Sequence, residues 1–266
     1  MPATSPRTFP AGGRRLPLRR GVLAGALISA CAVAWCEDSS WRDIESRIQY
    51  GYYTEDTRAL RDLSETLAAG DAHDRMRSYY AALLAWRQAL LSAQGTPAAP
   101  GSSTAQLAER CVSEADAALA LQADFAEALA LRSACLTTRI ESSGVFAPVV
   151  SYRARRDLDK ARELAARNPR VLLIDAMNDY ELPPSRGGNR ERALVKLRQA
   201  VAAFEAERSD VERLPGWGAA EAWLLLAQDL LDHGEAVAAR DALERALLIA
   251  PQFAQARRLM AKITAG

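Results

Sequence analysis

Between Gly216 and Pro251 the apolar residues fall three and four apart, and this spacing constrains the fold more than any other feature of the chain. Trp223, Leu226, Ala227 and Leu230 make one stripe, Asp232-His233-Gly234 interrupts it, and Ala239, Leu243 and Ala246 make a second stripe before Pro251. Apolar residues at helical spacing, bounded by Gly and Pro, predict two short amphipathic helices. Small side chains at Ala227, Ala239 and Ala246 let two antiparallel backbones approach closely. Larger neighbours fill the seam, and Pro251 stops the second helix. The second stripe recurs upstream as Ala193, Leu197, Ala200, as Ala154, Leu158, Ala161, and as Cys111, Ala115, Ala118. No segment shows the alternation of strands, so the competing reading is an irregular helical bundle.

The pattern Trp-x2-Leu-small-x2-large, Gly, Ala-x3-large-x2-Ala, Pro resembles the tetratricopeptide repeat, with Ala227 in the usual glycine slot and leucines in aromatic slots. The last residue of each second stripe falls at 118, 161, 200 and 246, so the intervals are 43, 39 and 46. Against a repeat of about 34 residues the surpluses of 9, 5 and 12 predict insertions at Glu141–Val150, Pro183–Asn189 and Glu207–Gly216. First helices are expected at Arg75–Leu91, Ala126–Thr138 and Arg170–Glu181, with another helix over Thr54–Ala69. A capping helix is expected at Phe253–Ile263, facing Gln255, Arg258 and Lys262 outward. The resemblance implies an all-α fold, a right-handed superhelical solenoid of antiparallel helix pairs with inserted loops. It divides 35–266 into degenerate leading helices (41–70), four full repeats (74–251) and a cap (252–264). Asn168-Pro169-Arg170-Val171, Pro183-Pro184, Gly187-Gly188, Ala193, Phe204 and Trp217-Gly218 also look like a group of exported bacterial tetratricopeptide proteins, which implies fold and compartment rather than a reaction.

The N-terminus predicts export. Arg14–Arg20 is basic, Gly21–Ala30 is an apolar run, and Ala32-Val33-Ala34 is a small-x-small cleavage site, so 1–34 reads as a signal peptide. The run Gly21–Trp35 is 15 residues, short of the roughly 20 that span a membrane. Two outcomes stay open, a periplasmic chain cleaved after Ala34 or a lipoprotein anchored through Cys31 of Ile28-Ser29-Ala30-Cys31. The formal charge of +1 includes five arginines in this segment, and without them 29 basic residues face 33 acidic ones. A mildly acidic chain has no overall field for nucleic acid. Past the leader no run is apolar enough for a transmembrane segment.

Cys111 and Cys135 lie equally far from the turn near Ala123 between two antiparallel helices. A disulfide between them and a pair of buried thiols are both open readings. Cys36 would be a free or intermolecular thiol. Chemistry finds little supply. His73 and His233 occupy turn-like stretches, neither has a partner at metal-ligand spacing, and no metal or cofactor is expected. Nucleophile-elbow, phosphate-loop, dinucleotide and His-Glu-x-x-His motifs do not occur. Asp157, Asp159 and Glu163 interleave with Arg153, Arg155, Arg156, Lys160 and Arg162, which predicts a solvated helix face with i,i+4 pairs.

The sequence therefore indicates no enzyme, and what remains is binding. By the resemblance, first helices line a concave surface that holds an extended peptide or partner helix. The groove positions carry over to Tyr79, Leu83, Trp86 and Arg87, to Met177 and Tyr180, and to Leu224, Gln228 and Asp232. Trp86 and Tyr80 read equally well as core. The expected function is an exported, non-catalytic scaffold for a protein or peptide partner in the cell envelope. The alternative is a periplasmic small-molecule carrier resembling the tetratricopeptide partner of tripartite transporters, with an insertion bearing Val145, Phe146, Val149 and Val150 as lid.

Overall fold

The computed structural model describes residue 3 and residues 40–96, 102–207 and 214–265, and every regular element among them is helical. Apart from residue 3, the expected leader with its cleavage site lies outside the described residues, as do Cys31 and Cys36. Helix α1 covers 40–53. It is followed by α2 (Thr57–Ala68), α3 (Arg75–Ala93), α4 (Thr104–Leu121), α5 (Ala126–Arg139), α6 (Ala147–Leu164), α7 (Pro169–Glu181), α8 (Arg190–Glu207), α9 (Ala219–Asp232), α10 (Ala236–Ile249) and α11 (Ala254–Ala265). Short 3-10 helices at Ile140–Phe146 and Pro184–Arg186 occupy the first two expected insertions.

Side chains at the helix starts fix where each element begins. The Asp74 carboxylate accepts hydrogen bonds from the Met76 and Arg77 amides, and the Asn168 side chain accepts from Arg170 and Val171. Ser103 and Gln106 exchange bonds in a capping box. Each such cap contributes about 1 kcal/mol. Pro169 opens α7 where a missing N–H costs no hydrogen bond.

Helices pair as α3 with α4, α5 with α6, α7 with α8, and α9 with α10, while α11 packs on α10. The small residues expected at the seams are there, with Ala115, Ala118, Ala161, Ala193, Ala200, Ala227, Ala239 and Ala246 all wholly buried. The first helices α3, α5, α7 and α9 pack on one another in succession and form an inner wall. The result is an all-α helical-repeat solenoid.

Cys111 on α4 and Cys135 on α5 are joined by a disulfide, Cα to Cα 5.8 Å, which ties the second helix of one pair to the first helix of the next. One expectation is corrected. Asp157 is not on a solvated face but buried, and Arg132 of α5 grips it with two hydrogen bonds of 2.7 and 2.6 Å. Arg153 likewise reaches across to Asp116 of α4, which also holds Arg132. These charges join neighbouring helices instead of pairing along one.

Candidate functional site

The residues nominated for the concave surface divide into two groups. Tyr79, Leu83, Trp86 and Arg87 on α3 are buried, at most 1% exposed. Their cover comes from the chain itself, from α1 and from the segment entering α9. Trp41 stacks on Tyr80 at 5.7 Å, and the Tyr80 hydroxyl donates to Glu45 at 2.8 Å. The Gly216 amide donates to the same carboxylate at 2.9 Å. The Trp217 indole N–H donates to the Tyr79 hydroxyl at 2.7 Å while its ring meets Trp86 edge-on at 5.8 Å. Gly218 permits this path. Its φ is +115°, and a Cβ there would stand 2.7 Å from the Phe204 ring.

Arg87 sits at the centre of this packing. Its guanidinium pairs with Glu221 of α9 and lies over the rings of Tyr52 (4.3 Å), Trp86 (4.9 Å) and Trp217 (5.1 Å). Glu221 also accepts from the Tyr53 hydroxyl at 2.8 Å and from the Gln49 amide at 3.4 Å. A buried cation is tolerable only when paired and solvated by the protein, and carboxylate and aromatic faces do that here. Burial lifts the phenols of the surrounding tyrosines, Tyr52 to about 12 and Tyr53 well above its ordinary value. Burial also raises Glu45, against the pull of the Gly216 amide and the Tyr80 hydroxyl.

The second group keeps contact with solvent. Met177, Tyr180 and Gln228 are half-buried, Asp232 is exposed, and Leu224 is buried behind them. The structure brings Tyr180 and Asp232 together: the Tyr180 hydroxyl donates to the Asp232 carboxylate at 2.9 Å, Arg190 donates to it at 2.9 Å, and the Arg190 guanidinium lies 3.7 Å from the centre of the Tyr180 ring. Met177, Leu224 and Gln228 line a cavity of about 70 Å³ that runs back to Trp86 and Arg87. Glu181, exposed at the end of α7, also lines it.

Glu45, Gln49, Trp217 and Glu221 occupy the groove, and the repeat pattern does not nominate them. A hint was available in Trp41, Tyr52 and Tyr53, aromatic residues that no repeat slot requires. His73 is exposed beside Asp71, and His233 ends α9 with its Nδ1 2.7 Å from the Asp229 carbonyl oxygen. Among the described residues no three His, Cys, Asp or Glu side chains gather as metal ligands would. Apart from the Arg87 Nε, the polar groups named in the covered groove are engaged with one another, an arrangement suited to holding a shape.

No family model matches the sequence, and no curated protein does. Solved structures that share the fold include the following two. The HusA haemophore from Porphyromonas gingivalis superposes with a TM-score of 0.52 at 21% identity, covering 75% of this chain and 93% of that one. A thermophilic tetratricopeptide protein from Thermus thermophilus, TTC0263, superposes with a TM-score of 0.56 at 16% identity, covering 85% of this chain and 100% of that one. Helix pairing, small-residue seams and these likenesses agree: the chain has a tetratricopeptide-like helical-repeat fold.

Proposed function

We propose that this chain is an exported, non-catalytic scaffold that holds a protein partner in the cell envelope, and that the partner docks on the uncovered part of the concave wall. One observation carries the reading. Tyr180, Arg190 and Asp232 form a hydrogen-bonded cluster beside Met177 and Gln228, on a wall whose other half is locked by the chain's own α1 and Trp217. Aromatic and arginine side chains held rigid before binding lose little entropy on docking and are the usual anchors of an interface. The disulfide fits a compartment more oxidising than the cytoplasm, and no described helix is long and apolar enough to cross a membrane.

The carrier alternative gains less support. Val145, Phe146 and Val149 project into solvent, Val150 packs against the core, and none of the four lines the groove cavity. The groove cavity itself, about 70 Å³, falls below the roughly 300–1,000 Å³ of small-molecule sites.

The test is native mass spectrometry of the mature protein taken gently from its own envelope, followed by binding of the purified partner to Tyr180→Ala and Asp232→Ala. A protein bound at fixed stoichiometry, held at least tenfold more weakly by both variants, is the expected result. A partner indifferent to both changes, or the absence of any bound protein, would overturn the proposal.

A further inference from the structure

Away from the concave wall, a cavity of about 430 Å³ opens between α6, α7 and the start of α8, with the Pro183–Gly188 loop as one side. That volume lies in the range of small-molecule sites, roughly 300–1,000 Å³. Its floor is apolar, made by Ile140, Ala154, Leu158 and Leu182. The charges around it do not balance. Five cationic side chains line it against three carboxylates, and each carboxylate is already engaged. Asp179 holds Arg192 and Lys196, Asp175 holds Lys196 at 2.7 Å and Arg162 at 3.6 Å, and Asp159 has Arg162 at 3.7 Å.

Arg155 and Arg186 are left over. Among the described residues neither has a carboxylate within ion-pair distance. Two separate parts of the chain deliver them, Arg155 from α6 and Arg186 from the loop. Gly187 turns at φ +96° and passes its carbonyl to Arg192 at 2.7 Å, while the Arg155 guanidinium lies 3.4 Å from where a Cβ of Gly187 would stand. Gly188 is pressed against Leu182, where a Cβ would fall 1.7 Å from the carbonyl oxygen, so only glycine lets the loop fold down here. Two like charges turned toward one concavity repel each other until a negative group sits between them, and a concave wall concentrates their field.

The geometry points to a binding site for a small organic anion, its carboxylate or phosphate between Arg155 and Arg186 and its apolar part on Ile140, Ala154, Leu158 and Leu182. Guanidinium is the group suited to planar, bidentate recognition of both anions. The site is independent of the partner-binding face proposed above, and its test uses neither that face nor a partner.

Calorimetric titration of the full mature chain with octanoate, octyl phosphate and the neutral octanamide tests the assignment. At least one of the two anions is expected to bind at one site per chain, more weakly as sodium chloride rises, and at least tenfold more tightly than octanamide. The double variant Arg155→Gln/Arg186→Gln should lose at least tenfold in affinity for that anion. Arg240→Gln, on a pair remote from the cavity, should lose none. Both cavity arginines are exposed, so the thermal midpoint of the double variant should match that of the parent. Failure of both anions to bind, equal binding of octanamide, or an unchanged affinity in the double variant would each overturn the site.

Discussion

At the scale of single residues, the inner face is organised by a charge that cannot reach water. Arg87 is 1% exposed, its Nε has no hydrogen-bond partner, and Glu221 is its counterion. Removing one member of a buried pair strands the other, whereas removing both with apolar replacements of similar volume leaves no charge behind. Arg87→Met is therefore expected to lower unfolding free energy by about 3–5 kcal/mol. Arg87→Met/Glu221→Leu should cost much less than the two single changes added together. Urea denaturation of the four proteins measures this, and simple additivity would refute it. Gly218 is a second such point. Alanine there meets the Phe204 ring in a conformation that L residues avoid, so Gly218→Ala should cost on the order of 2 kcal/mol, whereas Gly234→Ala, with open space around it, should cost less. Equal losses in a thermal melt would show that the ring, not the backbone, yields.

At the scale of elements, the same small-residue stripes that predict the second helices also fix their seams, because a backbone approaches closely only where Cβ is the whole side chain. Ala193, Leu197 and Ala200 recur in register on α8 and are wholly buried, and the first helix expected at Arg75–Leu91 appears as Arg75–Ala93. The filling of the groove was not legible in the same way. Glu45 meets Gly216 across 171 residues and Arg87 meets Glu221 across 134, and no local period encodes a contact of that span. Legibility failed too where one residue type serves two environments: Asp157 sits among arginines like any surface acid, yet Arg132 comes to it from another helix. Two predictions belong here. The α4–α5 disulfide closes a loop of 24 residues and on the chain-entropy argument contributes about 3 kcal/mol. Cys111→Ala/Cys135→Ala should lower the thermal midpoint accordingly, and reductant should then have no further effect. On α1, burial raises Glu45 above 4.5, so the folded chain keeps a proton that the unfolded chain releases. Its contribution to stability is whole below pH 4.5 and is lost as pH rises through the folded value. Relative to the parent, Glu45→Gln should gain stability in thermal melts as pH rises above 4.5, and a relative loss as pH rises would reverse the assignment.

At the scale of the whole unit Trp41–Gly266, stability should depart from that of an ordinary repeat array. In such an array each repeat touches only its neighbours, and stability is close to a sum of local terms. Here the ends are joined. Tyr53 and Tyr52 meet Phe253 at ring separations of 4.5 and 6.0 Å, and Glu55 accepts from Arg258, which faces outward on the capping helix as its position predicts. Tyr53 also reaches Glu221, so α1 is fastened to α9 and to the entry of α11 together. Energy placed in one end is then felt at the other. Phe253→Ala removes a buried ring at a cost of about 3–5 kcal/mol. It should speed amide hydrogen exchange in α1 as well as in α11, although Glu55 and Arg258 stand 203 residues apart in sequence. The middle helices α5 and α6, pinned by the disulfide and by Arg132, should change least. Exchange confined to residues 250–265 would mean that the ends touch without supporting each other. Matched acceleration in α1 would mean that the closed inner face is one cooperative structure, and that a partner on the open half of the wall docks on a frame already set.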